Sequence, residues 1–169
     1  MNTRFIGIAA VVLIAAQVAI GIHLYQQNDR IPQQQGKTFT GSTINVIDSR
    51  DGYLTVVNFW ASSCLPCIKE MPDFIELHRD YRDQKFALVG ITMPFDQSDL
   101  SLAILKRFNI QWHNILDTQG KHTEAFGGIK AVPTTFLLDH EGHALWKHEG
   151  PVDFKQLRQQ INHHLTTSS

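Results

Sequence analysis

The sequence predicts an α/β fold, and three observations carry that prediction. Apolar runs of strand length at Leu54–Trp60 and Phe86–Thr92 flank an amphipathic stretch, so a β-α-β alternation is written into the middle of the chain. Further on, the turn-forming Asp139-His140-Glu141-Gly142 separates residues 135–138 from residues 143–148, the pattern of a hairpin. Near the C-terminus, Phe154, Leu157, Ile161 and Leu165 recur at i, i+3, i+7 and i+11 behind Asp153, which predicts a helix with an acidic group at its start.

With 169 residues, 43% of them hydrophobic, and a formal net charge of -1, the chain has room for one ordinary globular domain and an appended segment. Its basic residues are scattered, so nothing offers phosphates an electrostatic footprint and no nucleic-acid partner is expected. Residues 5–22 are almost wholly apolar, broken only by Gln17, and are long enough to cross or nearly cross a bilayer as a helix. A cleaved signal has an apolar region of about 7–15 residues. Residues 1–25 therefore read as a membrane anchor in preference to a signal segment, with Arg4 before the span favouring an extracytoplasmic domain. Residues 26–41, rich in Gln and punctuated by Pro32, Gly36 and Gly41, read as a polar linker of limited order, and residues 42–169 as the folded domain. Between the second strand and the hairpin, Leu100, Ala103, Ile104 and Phe108 form a helical stripe.

The chemistry lies in Cys64 and Cys67, the only cysteines in the chain. They form C-L-P-C where the first strand ends and a helix begins, with Met71, Phe74, His78 and Tyr81 marking the helix's apolar spacing. Cys64 at a helix N-terminus meets unpaired backbone N–H groups and the positive end of the dipole, which stabilise a thiolate and lower its pKa from the free value of about 8.5. Cys67, one turn further in, is expected to be better buried. A disulfide closing so short a loop adds little folding stability and is easily attacked by another thiolate. The pair thus reads as a redox reagent. A structural zinc site needs four ligands, and no second ligand-spaced Cys/His pair accompanies this one; no metal and no cofactor are expected.

The run VVNFWASSCLPCIKEMP (residues 56–72), taken with AVPTTFLLDHEG (residues 131–142), resembles the thioredoxin superfamily, and specifically its membrane-anchored TlpA/ResA/CcmG-like thiol-disulfide oxidoreductases. The resemblance covers residues 42–165. It implies a thioredoxin-like fold, a central mixed β-sheet flanked by helices, with a TlpA-like middle insert that residues 94–118 resemble. It also implies roles. Pro133 matches a cis-proline facing the dithiol, leaving the Val132 backbone free to pair with a substrate strand. Glu70 matches an acidic residue able to take the proton of Cys67. Trp60 matches a tryptophan packed near the dithiol and is placed, with Pro66 between the two cysteines, in the substrate-contacting set.

Departures from the pattern refine these expectations. Asn58 stands where cytoplasmic thioredoxins carry a buried Asp, which makes Glu70 the better candidate for proton transfer. Ser63 replaces a common Trp before the first cysteine. Thr134 follows the proline, as in TlpA/ResA-like relatives, where CcmG-like ones usually have Glu. A peroxidase loop of the form P-x-x-x-[ST]-x-x-C would need Pro and Ser/Thr where Val57 and Ala61 stand, so a peroxiredoxin reading fails. The resemblance implies a reductase of extracytoplasmic protein disulfides, apocytochrome c or a copper-centre assembly protein among them, resupplied by a membrane dithiol transporter of the CcdA/DsbD type. It would sit at the bacterial inner membrane, its domain on the periplasmic side. The alternatives are a Cu(I)-binding or metallochaperone module built on the two thiolates and a disulfide-forming oxidase. Histidines 140, 143, 148, 163 and 164 read as polar turn and helix-face residues.

Overall fold

A computed structural model describes residues 12–18, 20 and 30–167. Residues 12–18 and 20 are helical; most of the segment read as a membrane anchor lies outside the described residues, and among the described residues no helix is long and apolar enough to cross a membrane. Ile31–Ser169 forms one compact unit.

That unit is built on a five-stranded mixed sheet of order β5-β4-β3-β6-β7. Strands β3 (Leu54–Trp60), β4 (Phe86–Thr92) and β5 (His113–Leu116) run parallel, while β6 (Thr134–Leu138) and β7 (Ala144–Glu149) form the hairpin and join antiparallel. Every residue of β3 is buried, as a central strand covered on both faces must be. Alternation divides its side chains between two cores. Val57 and Phe59 pack with Val89, Ile91, Ile115, Phe126, Phe136 and Leu138. Leu54 and Val56 pack with Phe74, Leu77, Leu88, Leu137, Leu157 and Ile161, beneath helices α1 (Leu65–Tyr81) and α4 (Phe154–Thr167). Asp153 accepts the Lys155 and Gln156 backbone N–H groups at 3.0 and 3.1 Å, capping α4 as its sequence predicts.

Three parts depart from the sequence reading. Residues 31–41, read as a linker of limited order, hold strand β1 (Gln35–Lys37), which pairs with β2 (Thr43–Asn45). Gln33 anchors this segment: its side-chain amide donates to the Ile47 carbonyl at 2.7 Å and accepts the Ile47 N–H at 3.2 Å, standing in for a backbone pair. Thr38 bridges Ile115, and the Phe39 N–H donates to the Asn114 carbonyl at 3.2 Å, so the segment lines the outer edge of β5. The stripe proposed for α2 (Ser98–Arg107) is the second departure. Its buried residues are Ser101 and Leu105, while Leu100 and Ala103 face solvent. Helix α2 is held by a polar anchor at its start, which rotates the apolar positions away from the simplest spacing. Lastly, the short helix α3 (Lys121–Ala125) has too few residues to show a hydrophobic period in the sequence; buried Asp117 accepts from the Thr123 N–H at 2.9 Å and the Thr123 hydroxyl at 2.7 Å to fix its start.

Gly90, in the middle of β4, fits only as glycine. A Cβ there would lie 2.0 Å from Asn114 Oδ1 and 3.2 Å from Trp60 Nε1, atoms that bond to each other at 3.1 Å. Gly90→Ala must push this buried pair apart, and a loss of about 1–3 kcal/mol is expected from overpacking and the disturbed hydrogen bond. Urea denaturation of the two proteins checks it.

Candidate active site

Strand β3 carries the chain to its C-terminal edge, between parallel β4 and antiparallel β6, the kind of switch point where α/β sheets place their ligands. The chain turns there, with the Cys64 N–H donating to the Ala61 carbonyl at 3.0 Å, and enters α1 with Cys64 as N-cap. Cys64 and Cys67 are joined as a disulfide, with Cα atoms 5.3 Å apart. Cys64 is half-buried and Cys67 is 2% exposed, so an incoming sulfur can reach only the first of them. The Cys67 N–H points at Cys64 Sγ across 3.2 Å, the donor that would stabilise a thiolate at this N-terminus.

The other predicted residues take up distinct places. The Val132–Pro133 bond is cis, Pro133 is buried, and the Val132 carbonyl oxygen lies 3.6 Å from Cys64 Sγ. This brings the segment leading into β6 against Cys64 although 68 residues separate the two in sequence. Pro66 is exposed beside the dithiol. Trp60 requires a correction: assigned by resemblance to the substrate-contacting set, it is fully buried, packed with Cys67, Met71 and Leu105 and bonded to Asn114. It supports the dithiol from beneath, because the last position of a central strand faces the core. Asn58 is likewise buried and donates to Thr135 Oγ1 at 3.0 Å, a neutral pair tying β3 to β6.

Glu70 is the unusual group. It sits one turn beyond Cys67 on α1, only 6% exposed. One carboxylate oxygen accepts the Val152 N–H, and the other is buried with no hydrogen-bond partner among the described residues. Burial raises its pKa above the usual carboxylate range, with the nearby Asp73 charge adding to the rise and the Val152 N–H opposing it. A carboxyl held this way binds its proton more tightly than an exposed one does, a property of groups that exchange protons during reactions.

Sequence reasoning missed Asp96. Its carboxylate accepts the Ser62 N–H at 3.0 Å, the Ser62 hydroxyl at 2.5 Å, the Gln97 N–H at 2.9 Å and the hydroxyl of buried Ser101. Four donors converge on one carboxylate and tie the turn before Cys64 to the start of α2. The signal was present as an acidic residue ahead of a helix with serine nearby, but its partner Ser62 lies 34 residues away. The histidines hold ordinary surface contacts: His143 Nδ1 lies 2.9 Å from Asp139 Oδ2, and His148 Nε2 lies 2.9 Å from the Pro151 carbonyl.

Comparison with known proteins gives a consistent picture. The sequence profile of the AhpC/TSA family matches residues 28–146. The thiol-disulfide oxidoreductase ResA of Bacillus cereus is 25% identical over 162 residues, covering 89% of this chain and 91% of that protein. The thioredoxin-like protein YneN of Bacillus subtilis is 27% identical over 139 residues, 81% of this chain and 79% of its own length. Among solved structures, a thiol:disulfide interchange protein of the thioredoxin family from Chlorobium tepidum superposes with a TM-score of 0.71 at 26% identity, covering 80% of this chain and 95% of that one.

The Glu70 environment has a pH consequence. Its folded-state pKa is raised, so its contribution favours the fold fully below the unfolded value and is lost as pH climbs through the raised one. Glu70→Gln stays neutral and keeps an oxygen for the Val152 N–H. The variant is expected to gain stability relative to the parent as pH rises from about 4 to 8. Urea midpoints across that range test this; a constant offset between the two proteins would show that burial does not raise the pKa of this carboxyl.

Proposed function

The chain belongs to the AhpC/TSA family, as a TlpA/ResA-like member of the thioredoxin superfamily and a thiol-disulfide oxidoreductase, and from that footing we propose that it works as a reductase of extracytoplasmic protein disulfides. One observation carries the reading. A half-buried Cys64 caps a helix, paired to a buried Cys67 and faced by the Val132 carbonyl before a cis-proline.

The reaction runs in two exchanges. The Cys64 thiolate attacks one sulfur of a substrate disulfide; a Cys64–substrate S–S bond forms as the substrate S–S bond breaks, and the departing thiolate takes up a proton. Cys67 then attacks Cys64 Sγ, closing the Cys64–Cys67 disulfide and releasing the second substrate thiol. Two electrons pass from protein to substrate, and the disulfide seen here is the product state. Glu70 supports the second exchange by accepting the Cys67 proton; the raised affinity of a buried carboxyl for protons suits that transfer. Val132 holds the substrate chain through its backbone, and Pro66 borders the path of approach.

A reductase in an oxidising compartment needs its dithiol restored, so a membrane dithiol transporter of the CcdA/DsbD type is the proposed electron donor. Residues 1–25 serve as the inner-membrane anchor that keeps the two together on the periplasmic side. Apocytochrome c, whose haem-attachment cysteines must be thiols, is the proposed substrate class.

Two measurements test this. Cys67→Ser is expected to accumulate a covalent mixed disulfide with substrate, and Cys64→Ser none, as read by non-reducing gel electrophoresis. The reduction potential of the full chain, measured by thiol trapping in defined redox buffers, is expected near the thioredoxin value of about -270 mV. A potential near that of a strong oxidant, about -120 mV, would reverse the direction assigned here.

A further inference from the structure

In the compact unit, three large apolar side chains lie in the open: Leu65 at 61%, Phe95 at 68% and Leu100 at 52% exposure. Scattered singly, such residues need no explanation. Each of these adjoins a residue at or near one junction. Leu65 follows Cys64 directly, Phe95 precedes Asp96, and Leu100 precedes Ser101, while Asp96 binds both Ser62 and Ser101.

The junction is held firmly. Met93 donates its N–H to the Trp60 carbonyl at 3.1 Å, and the Asp96 N–H closes a turn onto the Met93 carbonyl at 3.0 Å with Pro94 and Phe95 at its tip. The Asp96 carboxylate then fastens that turn to the segment leading into Cys64. Phe95 is therefore displayed to solvent on an ordered turn, so little freedom is lost when something covers it.

The occupant follows from the chemistry. A polypeptide that forms a mixed disulfide with Cys64 brings the residues flanking its cysteine close to the segment that Asp96 ties down, because Ser62, which Asp96 binds, is only two residues from Cys64. We propose that Phe95 and Leu100, together with Leu65, are specificity-determining residues that favour protein disulfides carrying an apolar side chain next to the sulfur attacked by Cys64. Asp96 is the positioning residue that sets this rim beside the nucleophile. The proposal rests on the redox reading above and extends it to the choice of substrate.

The test uses the reduced full chain and three oxidised probes: a disulfide-cyclised peptide with Leu beside the attacked cysteine, the same peptide with Ser there, and 5,5′-dithiobis(2-nitrobenzoate). The parent is expected to reduce the Leu peptide about tenfold faster than the Ser peptide, the scale of burying part of an aromatic and an aliphatic side chain. The double variant Phe95→Ser, Leu100→Ser is expected to lose that preference while keeping its rate on the small aromatic disulfide and its reduction potential. Asp96→Ala is expected to weaken the preference with Phe95 and Leu100 both present, and Asp96→Glu to restore part of it. Equal loss on all three probes would mark the changes as structural and overturn the proposal. So would a preference that survives the double variant, or a variant that only turns a dimer into a monomer in sedimentation. If the parent reduces none of the probes, the redox reading itself falls, an outcome distinct from reduction without preference.

Discussion

The redox end of this protein depends on the burial of β3. A strand covered on both faces can hold its C-terminal residue in a fixed place, and Trp60, the last of the seven, is fixed further by a hydrogen bond to Asn114 on β5. The turn that follows is short, so the position of Cys64 is set by the core within a few residues. Helix α1 then docks Met71, Phe74 and Leu77 into the same cores, which seats Cys67 under the surface. The unequal exposure of the two sulfurs, on which the order of attack depends, is thus a result of ordinary packing.

Around that frame the chain spends polar groups in two different ways. Asp96 is saturated by four donors and fixes backbone. Glu70 is left with one oxygen unpartnered in a buried place, an arrangement that costs stability as the carboxyl ionises. Satisfied carboxylates belong to scaffolding; a buried and half-satisfied one, a turn beyond Cys67 on the same helix, is the kind of local conflict that folds keep where chemistry needs it.

Much of this was legible in the sequence because it is local. The β-α-β alternation, the hairpin at Asp139–Gly142, the Asp153 cap and the helix that follows Cys64 depend on residues within a turn or two of one another. What escaped is non-local or short. Residues 31–41 read as polar tether because their partners, Ile47, Asn114 and Ile115, lie far along the chain and bond mainly through backbone and an amide. Leu100 read as core because periodicity cannot see that Ser101, bonded to Asp96, occupies the buried face. At the site, the motif singles out the cysteines, Pro133 and Glu70, whereas Trp60, grouped with the substrate contacts, is fully buried against Cys67, since nearness to a dithiol in sequence does not say whether a ring lies over it or beneath it.

The segment that lines β5 has one more consequence. An uncovered outer strand offers its free N–H and C=O groups to any extended chain that comes by. Thr38 and Phe39 already occupy that border of the sheet, so the polypeptide seals one of its own two flanks. A visiting strand is left with the far side at β7, studded with Lys147, His148 and Glu149, or with the backbone before the cis-proline. Cover on the first flank and charge on the second both work against sheet growth from the edges.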